Sequence, residues 1–258
     1  MRRVAVIIPA RFGASRFPGK PLAELGGRPL IAHVVDRARK ARGVDVVAVA
    51  TDDERIARAV AEAGGWAVMT GPAATGTDRV AAAARTLDPA PDVLVNLQGD
   101  EPLIEPAAIE TLLEAMEGDG VVMATLARPL EAGELERTQV VKVVTDLRGD
   151  ALYFSRAPIP HRRAGGPSPL ARAHVGIYGF TAAFLQEFAA LPPGRLEGEE
   201  SLEQLRALEH GHRIRVADTA YRGFGIDTPE DLERARALWS NNQVSSGSAG
   251  PTTGARSW

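Results

Sequence analysis

"IIPARFGASRFPGKPLAELGGRPL", residues 7–30, begins as an apolar strand and passes directly into a loop of glycines, prolines and cations. The preceding "VAV" extends the apolar run back to Val4, and Arg11, Arg16 and Lys20 all fall in the loop. Guanidinium and ammonium groups, together with backbone N–H groups freed by glycine, are suited to holding several phosphate oxygens at once. The stretch therefore predicts a buried strand that ends in an anion site, for which a triphosphate is the natural ligand.

The loop matches neither of the two common nucleotide-binding signatures. A P-loop has the spacing G-x-x-x-x-G-K-S/T, whereas here five residues separate Gly13 from Gly19 and Pro21 follows Lys20. The dinucleotide-binding pattern GxGxxG is absent as well. These differences argue against a P-loop ATPase and a dinucleotide-binding enzyme. A solvated basic loop remains the alternative to a triphosphate site at this point.

Beyond the loop, short β-branched runs alternate with Ala-, Arg-, Leu- and Glu-rich runs of helical period. Strands are expected at 4–10, 44–52 and 91–102, and helices at 30–42, 53–64 and 106–118. This alternation is typical of βαβ units, and it predicts an α/β fold with a mostly parallel sheet flanked by helices. Because ligands bind at the carboxyl ends of parallel strands, we expect Arg11, Asp52 and Asp100 to face one crevice.

The order of elements changes in the second half of the chain. Between 121 and 180, "GVVMATLARPL", "VVKVVTD", "ALYFSRAPIP" and "HVGIYGF" indicate successive strands with few helices between them. We expect a mixed or antiparallel extension of the sheet there, as a place for a second substrate or a dimer partner. A strand at "HRIRVADTA" and a helix at "TPEDLERARALW" close a single domain at 1–240, and the Ser- and Gly-rich segment 241–258 is predicted to be a disordered tail.

Composition excludes several classes of protein. The 258 residues are 45% hydrophobic and 24% charged, which is ordinary for a globular protein, and the net charge of −3 argues against a nucleic-acid partner. No cysteine is present, so disulfides and thiolate chemistry are excluded and an intracellular location is permitted. No run approaches the roughly 18 apolar residues of a membrane span, and the apolar N-terminal run is too short for a signal peptide. We expect a cytoplasmic protein with no membrane or nucleic-acid partner.

Two aspartates are candidate ligands for a divalent cation. Asp100 in "NLQGDEP" follows a predicted strand, and Asp227 in "GFGIDTPEDLE" precedes Thr228 and Pro229 at the start of the last helix. Mg²⁺ prefers oxygen ligands and binds enzymes through one or two carboxylates plus substrate phosphates. Asp227 has a second interpretation, because an aspartate at this place can also cap the helix. Taken alone, the sequence around Asp227 leaves both interpretations open.

A series of motifs resembles, in order, those of the CMP-Kdo synthetase family, the cytidylyltransferases that activate 3-deoxy-D-manno-octulosonate (Kdo). The motifs are "IPARFGASRFPGKPL", "ATD", "TGTDR", "VNLQGDEPLI", "VVKVV", "ALYFSRAPIP", "HVGIYGF", "LEQLRALEHG" and "GIDTPEDLERAR". The resemblance runs from about Val4 to Trp239. The first motif is shared with other sugar cytidylyltransferases, whereas "NLQGDEP", "YFSRAPIP" and "LEQLR" in series are more specific.

The resemblance implies a Rossmann-like nucleotidyltransferase fold, with a smaller mixed-sheet part at roughly 121–205 that binds the sugar and forms a homodimer. It implies transfer of CMP from CTP to Kdo with Mg²⁺, giving CMP-Kdo and pyrophosphate for lipopolysaccharide or a related glycan. Enzymes for 8-amino-Kdo or an acylneuraminate would share the loop and both aspartates, so these acids remain alternatives. A regulatory module that binds CTP without turnover is the alternative from another class, against which the complete series of motifs speaks.

The resemblance also implies roles for individual residues. Those expected to serve catalysis are Arg11, Lys20, Asp100 and Asp227, the two aspartates as metal ligands. Those expected at the nucleotide are Arg11, Arg16, Lys20, Thr77, Arg79 and Gln98. Those expected at the sugar acid are Gln98, Arg156, His174, Tyr178, Glu203 and Gln204. The family usually has serine where Thr75 stands, which keeps a hydroxyl at that position. Without the family pattern, a surface arginine, a core histidine, sheet packing and a helical ion pair with Arg206 would account for Arg156, His174, Tyr178 and Glu203.

Overall fold

The structure is a computed structural model that describes residues 2–13, 17–166 and 168–246, with side chains up to Trp239. The described strands are β1 Val4–Ala10, β2 Glu24–Leu25, β3 Arg28–Pro29, β4 Val46–Thr51, β5 Trp66–Met69, β6 Val93–Asn96, β7 Met123–Pro129, β8 Lys142–Thr145, β9 Ala151–Ser155, β10 Arg172–Thr181 and β11 Arg215–Asp218. The described helices are α1 Leu30–Arg39, α2 Glu54–Glu62, α3 Gly76–Ala84, α4 Pro106–Ala115, α5 Ala182–Ala190, α6 Arg195–Glu200, α7 Leu205–Glu209 and α8 Pro229–Ser246. None of these helices has the length and apolar character of a membrane span.

One half of the main sheet is parallel. The strand β1 pairs in parallel with β4 and β6, and β4 pairs in parallel with β5. Alternate residues of β1 face two cores: Val6 and Ile8 pack with α1 and α4, whereas Ala5 and Ile7 pack with α3 and α5. Burial on both faces explains why β1 reads as an unbroken apolar run instead of an alternating one. Each fully buried isoleucine stabilises the fold by roughly 2–3 kcal/mol.

The other half of the sheet is mostly antiparallel. Among the described residues the strand order is β11-β7-β10-β6-β1-β4-β5, and the β8–β9 hairpin attaches to β10. The long strand β10 runs antiparallel to both β6 and β7, and β11 is parallel to β7. The predicted α/β fold, a mostly parallel sheet flanked by helices and extended by antiparallel strands, is confirmed.

The last helix packs against the segment that follows the cation-bearing loop. Leu25 and Leu30 form a small core with Ile226 and with residues of α8. The ring of Trp239, on α8, meets the ring of His33 edge to face at 4.5 Å. The helix continues to Ser246, so the first six residues of the predicted tail at 241–258 are helical, because a helix can extend by backbone hydrogen bonds alone. Residues 247–258 lie outside the described chain.

Candidate active site

A cleft opens at the carboxyl ends of β1 and β6. The sequence-predicted residues that line it are Arg11, Lys20, Arg79, Gln98, Asp100 and Asp227. Arg16, the third cation of the predicted triphosphate site, lies outside the described residues. Asp52 contributes indirectly, because its carboxylate pairs with Arg79. The prediction that strand-end residues share one crevice is therefore confirmed for Arg11 and Asp100.

Two glycines allow the backbone to take this shape. A Cβ atom on Gly99 would lie 3.1 Å from the carbonyl oxygen of Pro9, a crowded contact that glycine avoids where the ends of β1 and β6 come together. Gly19 has a φ of 74°, a left-handed conformation that glycine adopts without strain. It opens a short 3-10 turn at Lys20–Leu22, which carries Lys20 at the cleft.

The ammonium group of Lys20 bridges the two predicted metal ligands. Its Nζ lies 2.7 Å from Asp100 Oδ2 and 3.3 Å from Asp227 Oδ1. The two carboxylates are therefore gathered within reach of one cation, although they are far apart in the chain. Two hard anionic oxygens on the wall of a solvent-accessible cleft form a donor set that fits Mg²⁺ together with phosphate oxygens.

Asp227 does not cap α8. Thr228 and Asp231 form the cap instead: Asp231 N donates to Thr228 Oγ1 at 3.2 Å, and Thr228 N donates to Asp231 Oδ2 at 3.1 Å. This reciprocal pair is a capping box, which satisfies backbone donors at the helix start. The interpretation of Asp227 as a helix cap is therefore wrong, and its carboxylate is directed at Lys20.

Asp227 is held in place by the strand end that carries Asp100. The backbone N–H of Ile226 donates to the carbonyl of Asp100 at 2.9 Å. Glu101 Oε2 accepts hydrogen bonds from Tyr221 Oη at 2.5 Å and from Phe224 N at 3.0 Å. Burial, reinforced by the neighbouring carboxylates, raises the pKa of Glu101 to about 7.

Of the two residues of α3 that were predicted to bind the nucleotide, Arg79 lines the cleft and Thr77 does not. Arg79 donates to Asp52 Oδ2 at 2.7 Å and to Thr70 Oγ1 at 2.6 Å, while its side chain still lines the cleft. Thr77, predicted to face the cytidine, is 2% exposed and turned into the protein. Its hydroxyl donates to Glu203 Oε2 at 2.6 Å, so Thr77 contacts a residue of the predicted sugar-binding set instead of the nucleotide cleft.

The predicted sugar-binding residues form a second group beside this cleft. Tyr178 Oη donates to Gln204 Oε1 at 3.1 Å. Glu203 Oε1 and Gln204 Nε2 are buried and have no hydrogen-bond partner within the described structure. Leaving such an atom unpaired costs roughly 1–3 kcal/mol, so both atoms favour a hydrogen bond to a polar partner.

Burial sets the protonation states in this second group. The ring of His174 lies between those of Phe154 and Tyr178, at centroid distances of 5.0 and 5.5 Å. Burial lowers the pKa of His174 to about 3, so its imidazole is neutral and bonds to Thr125 Oγ1. Burial, with the nearby Glu203 carboxylate, raises the pKa of Tyr178 far above its usual range. The phenol therefore remains a hydrogen-bond donor.

Arg156 lies at the margin of this group. Its guanidinium donates to the backbone carbonyls of Glu200, Ser201 and Thr138. In this arrangement Arg156 supports the turn that leads to Glu203.

Three supporting residues carry no prediction from the sequence: Asn96, Glu101 and Lys142. Lys142 is fully buried, and its ammonium donates to three backbone carbonyls, including that of Arg156. A lysine inside "VVKVV" is unusual for a buried strand and was the available signal for this residue. Asn96 and Glu101 lie within "VNLQGDEP", in which functions were predicted only for Gln98 and Asp100.

Comparison with known proteins places these features in a family. The model of a family described as cytidylyltransferase matches residues 5–214. A 3-deoxy-manno-octulosonate cytidylyltransferase of Anaeromyxobacter sp. (strain Fw109-5) is 85% identical over 238 residues, 92% of this chain and 97% of the relative. An 8-amino-3,8-dideoxy-manno-octulosonate cytidylyltransferase of Shewanella woodyi is 51% identical over 240 residues, 91% of this chain and 97% of the relative.

A solved structure shares the fold over nearly the whole length. It is a CMP:2-keto-3-deoxy-manno-octonic acid synthetase complexed with CTP, with a TM-score of 0.88 and 44% identity, covering 93% of this chain and 99% of that chain. The predicted nucleotidyltransferase fold is confirmed by this match. The chain therefore belongs to the cytidylyltransferase family, and within it to the 3-deoxy-manno-octulosonate cytidylyltransferases.

Proposed function

We propose that this protein transfers CMP from CTP to Kdo, releasing pyrophosphate and forming CMP-Kdo. The observation that carries the proposal is the position of the two groups on neighbouring strands. Tyr178 of the second group lies opposite Asn96, the last residue of β6, whose continuation carries Gln98 and Asp100 at the cleft. A site for a charged nucleotide and a buried polar site with unpaired atoms therefore adjoin, as a reaction between two polar substrates requires.

The nucleotide side of the reaction asks the protein mainly for positioning and neutralisation of charge. Arg11 and Lys20 line the cleft and supply positive charge for the triphosphate. Arg16 belongs to this set by its place in the family motif. In the reaction the anomeric hydroxyl of the sugar attacks the α-phosphorus, and these cations stabilise the pyrophosphate that leaves.

Mg²⁺ is the proposed cofactor, with Asp100 and Asp227 as its protein ligands. The shared contact of both carboxylates with Lys20 supports this assignment, since it shows that one cation can satisfy them together. When bound there, Mg²⁺ neutralises phosphate charge and lowers the pKa of the attacking hydroxyl.

The sugar side offers a matched donor and acceptor. Glu203 Oε1 accepts and Gln204 Nε2 donates, so together they suit hydroxyl groups, which do both. Tyr178 and Thr77 hold the other oxygens of these side chains and so direct the unpaired atoms. His174 and Arg156 are proposed to complete the sugar site.

The acid substrate is tested directly. Purified protein with CTP and Mg²⁺ receives Kdo, 8-amino-Kdo or N-acetylneuraminate, and pyrophosphate release is followed. We expect the highest kcat/KM with Kdo, since the relative at 85% identity carries the Kdo name and the 8-amino name belongs to one at 51%. A higher kcat/KM with 8-amino-Kdo would reassign the substrate, and CTP binding without release with any acid would favour a regulatory module.

We propose further that the protein is a cytoplasmic homodimer joined through the part at 121–205. Leu147, Leu152 and Leu170 support this interface, because their exposures of 107%, 63% and 71% leave apolar surface beside the β8–β9 hairpin. Light scattering should give twice the chain mass of 27.4 kDa. Leu152→Asp should shift the mass to the monomer, whereas Met69→Asp, on exposed β5, should not.

A further inference from the structure

Asn96 is a fully buried amide at the end of an apolar strand. Its Nδ2 donates to Thr77 Oγ1 at 3.0 Å, and its Oδ1 accepts from Gln98 Nε2 at 3.1 Å. Burying an amide without partners costs several kcal/mol, so both bonds are needed for Asn96 to lie here. The side chain thereby joins a residue of the nucleotide cleft to a residue that contacts the sugar group.

These bonds form a chain with one direction. The Thr77 hydroxyl gives its single hydrogen to Glu203 Oε2, so its oxygen can only accept from Asn96. Asn96 must then present Nδ2 to Thr77 and Oδ1 to Gln98. Every donor from Gln98 onward therefore points towards the carboxylate of Glu203, an arrangement in which successive hydrogen bonds strengthen one another in a low-dielectric interior.

The direction of the chain determines which atom Gln98 presents to the cleft. One hydrogen of Gln98 Nε2 is donated to Asn96, and Oε1 is the acceptor that the amide has left at the cleft wall, 3.8 Å from where a Cβ atom on Gly76 would lie. The orientations of both amides thus follow from the hydrogen bond that Thr77 donates to Glu203, at the far end of the chain.

We propose that Asn96 is a positioning residue that couples the nucleotide and sugar halves of the site. It presents Gln98 Oε1 as an acceptor in the nucleotide cleft and holds Thr77 so that Glu203 directs its second oxygen to the sugar acid. Binding of a substrate in one half therefore changes the affinity of the other half for its substrate through the Gln98–Asn96–Thr77–Glu203 chain. This inference rests on the proposed function, in that it takes the two groups to bind CTP and Kdo.

Two substitutions at Asn96 separate the two bonds. Asn96→Leu keeps the size and removes both, so KM for CTP and KM for Kdo should each rise about fivefold or more. Asn96→Asp keeps the acceptor for Gln98 but places an anionic oxygen against Thr77, so KM for Kdo should rise at least about fivefold while KM for CTP changes less than about twofold. A merely structural role predicts the same effect of Asn96→Asp on both substrates, and that result would overturn the proposal.

The matched control is Thr51→Val. Thr51 is fully buried at the end of β4, which is separated from β6 by β1, and its oxygen accepts one hydrogen bond, from Asp53 N. Thr51→Val should lower the melting temperature without separating the two KM values. If Asn96→Leu fails to fold, the different effects of Asn96→Asp on KM for Kdo and on KM for CTP are sufficient to test the proposal.

A double-mutant cycle measures the coupling itself. Gln98→Ala and Glu203→Gln are combined in the wild-type and Asn96→Leu backgrounds, and kcat/KM is measured. We expect non-additivity of about fivefold or more in the first background and less than about twofold in the second. Additivity in the wild type, or coupling that persists in the Asn96→Leu background, would overturn the inference.

Failure of the proposed function is recognised separately. Pyrophosphate release by the wild type with CTP and Kdo is measured first and tests that function alone. If CTP binds without release, calorimetric affinity for CTP replaces turnover: a loss in Asn96→Leu that Thr51→Val lacks supports the role of Asn96, and equal affinities contradict it.

Discussion

Lys20 holds its ammonium group between Asp100 and Asp227, where a triphosphate and its metal are proposed to bind. Lys20→Ala removes a charge-assisted contact to phosphate and leaves two carboxylates without their shared cation. We expect kcat/KM for CTP to fall about tenfold or more. Lys40→Ala, a change of the same type at an exposed position beyond α1, should leave kcat/KM unaltered. Unchanged kinetics for Lys20→Ala would return the loop to the interpretation of a solvated basic segment.

Asp227 and Thr228 are adjacent, but Asp227 contacts Lys20 in the cleft whereas Thr228 caps α8. Asp227→Asn removes the anionic group proposed as a metal ligand with little change of shape, so turnover should drop on the order of a hundredfold with a raised Mg²⁺ requirement and a normal melting temperature. Thr228→Ala removes the cap of α8 and should cost about 1 kcal/mol of stability with turnover retained. Kinetics at several Mg²⁺ concentrations and calorimetry of both variants check this. Wild-type turnover of Asp227→Asn at low Mg²⁺ would contradict the metal assignment.

The residues predicted from sequence were those whose chemistry is visible in the motif itself. Lys20 carries its charge in the glycine-rich loop after β1 and Asp100 carries its charge after β6, so elementary electrostatics points to both. Thr77 was assigned to the nucleotide from the family resemblance of "TGTDR", whereas its buried side chain is turned away from the cleft that Thr75 lines. Asn96 was not predicted, because it ends an apolar run and the sequence does not show what its side chain contacts. Its role becomes visible only from its hydrogen bonds to Thr77 and Gln98.

The segment between β11 and α8 depends on Glu101, and this dependence has a pH signature. The buried carboxyl has a pKa of about 7 against an ordinary value of 4.5, so the folded protein binds this proton more tightly than the unfolded chain does. Stability is therefore highest below about 4.5 for this group and is lost as pH rises through about 7. In metal-free buffer this group should lower the free energy of unfolding by at most roughly 3 kcal/mol across that range.

Glu101→Gln provides the comparison for this pH dependence. The amide oxygen can still accept from Tyr221 and Phe224, but the group no longer titrates. Denaturant unfolding of both proteins between these pH values, in the presence of a chelator, should show a shallower decline for the variant. Parallel profiles would show that Glu101 is not the titrating group.

Elements with strong periodicity were predictable from the sequence. The strand at 4–10 and the helix that begins at Pro106 were confirmed, because burial on both faces and proline at the first turn each leave a local signature. The strands β8 and β9 were also predicted, from "VVKVVTD" and "ALYFSRAPIP", whereas the short helices α6 and α7 have no such signature. The pairing of β8 with β10 and the packing of α6 on α7 were not predicted, because they depend on tertiary contacts.

For the molecule as a whole, α8 matters because it packs beneath the segment after the nucleotide loop. Trp239 contacts His33 and approaches Gly26, and it joins the small core that includes Ile226, next to Asp227. Trp239→Ala should destabilise the protein by about 2 kcal/mol, since a partly buried aromatic ring is lost. In a chain of this size the melting temperature should fall by roughly 4–8 °C.

Truncation after Trp239 is the matched comparison for this variant. It retains the ring and removes a segment rich in serine, glycine and asparagine, so activity and melting temperature should stay near those of the full chain. Calorimetry of both proteins distinguishes the contribution of Trp239 from that of the residues after it. A drop of several degrees on truncation would show that the removed residues also stabilise the fold.

Lys20 and Asp227 meet although 207 positions separate them. During translation, at roughly 5–20 residues per second, Lys20 and the parallel strands leave the ribosome many seconds before Asp227 does. A premature stop codon between the basic loop and Asp227 yields a product that retains the first strand and the loop but lacks one of the two carboxylates proposed to hold the metal. Chains that end before Asp227 are therefore expected to be inactive, whereas chains that extend to Trp239 are expected to remain active.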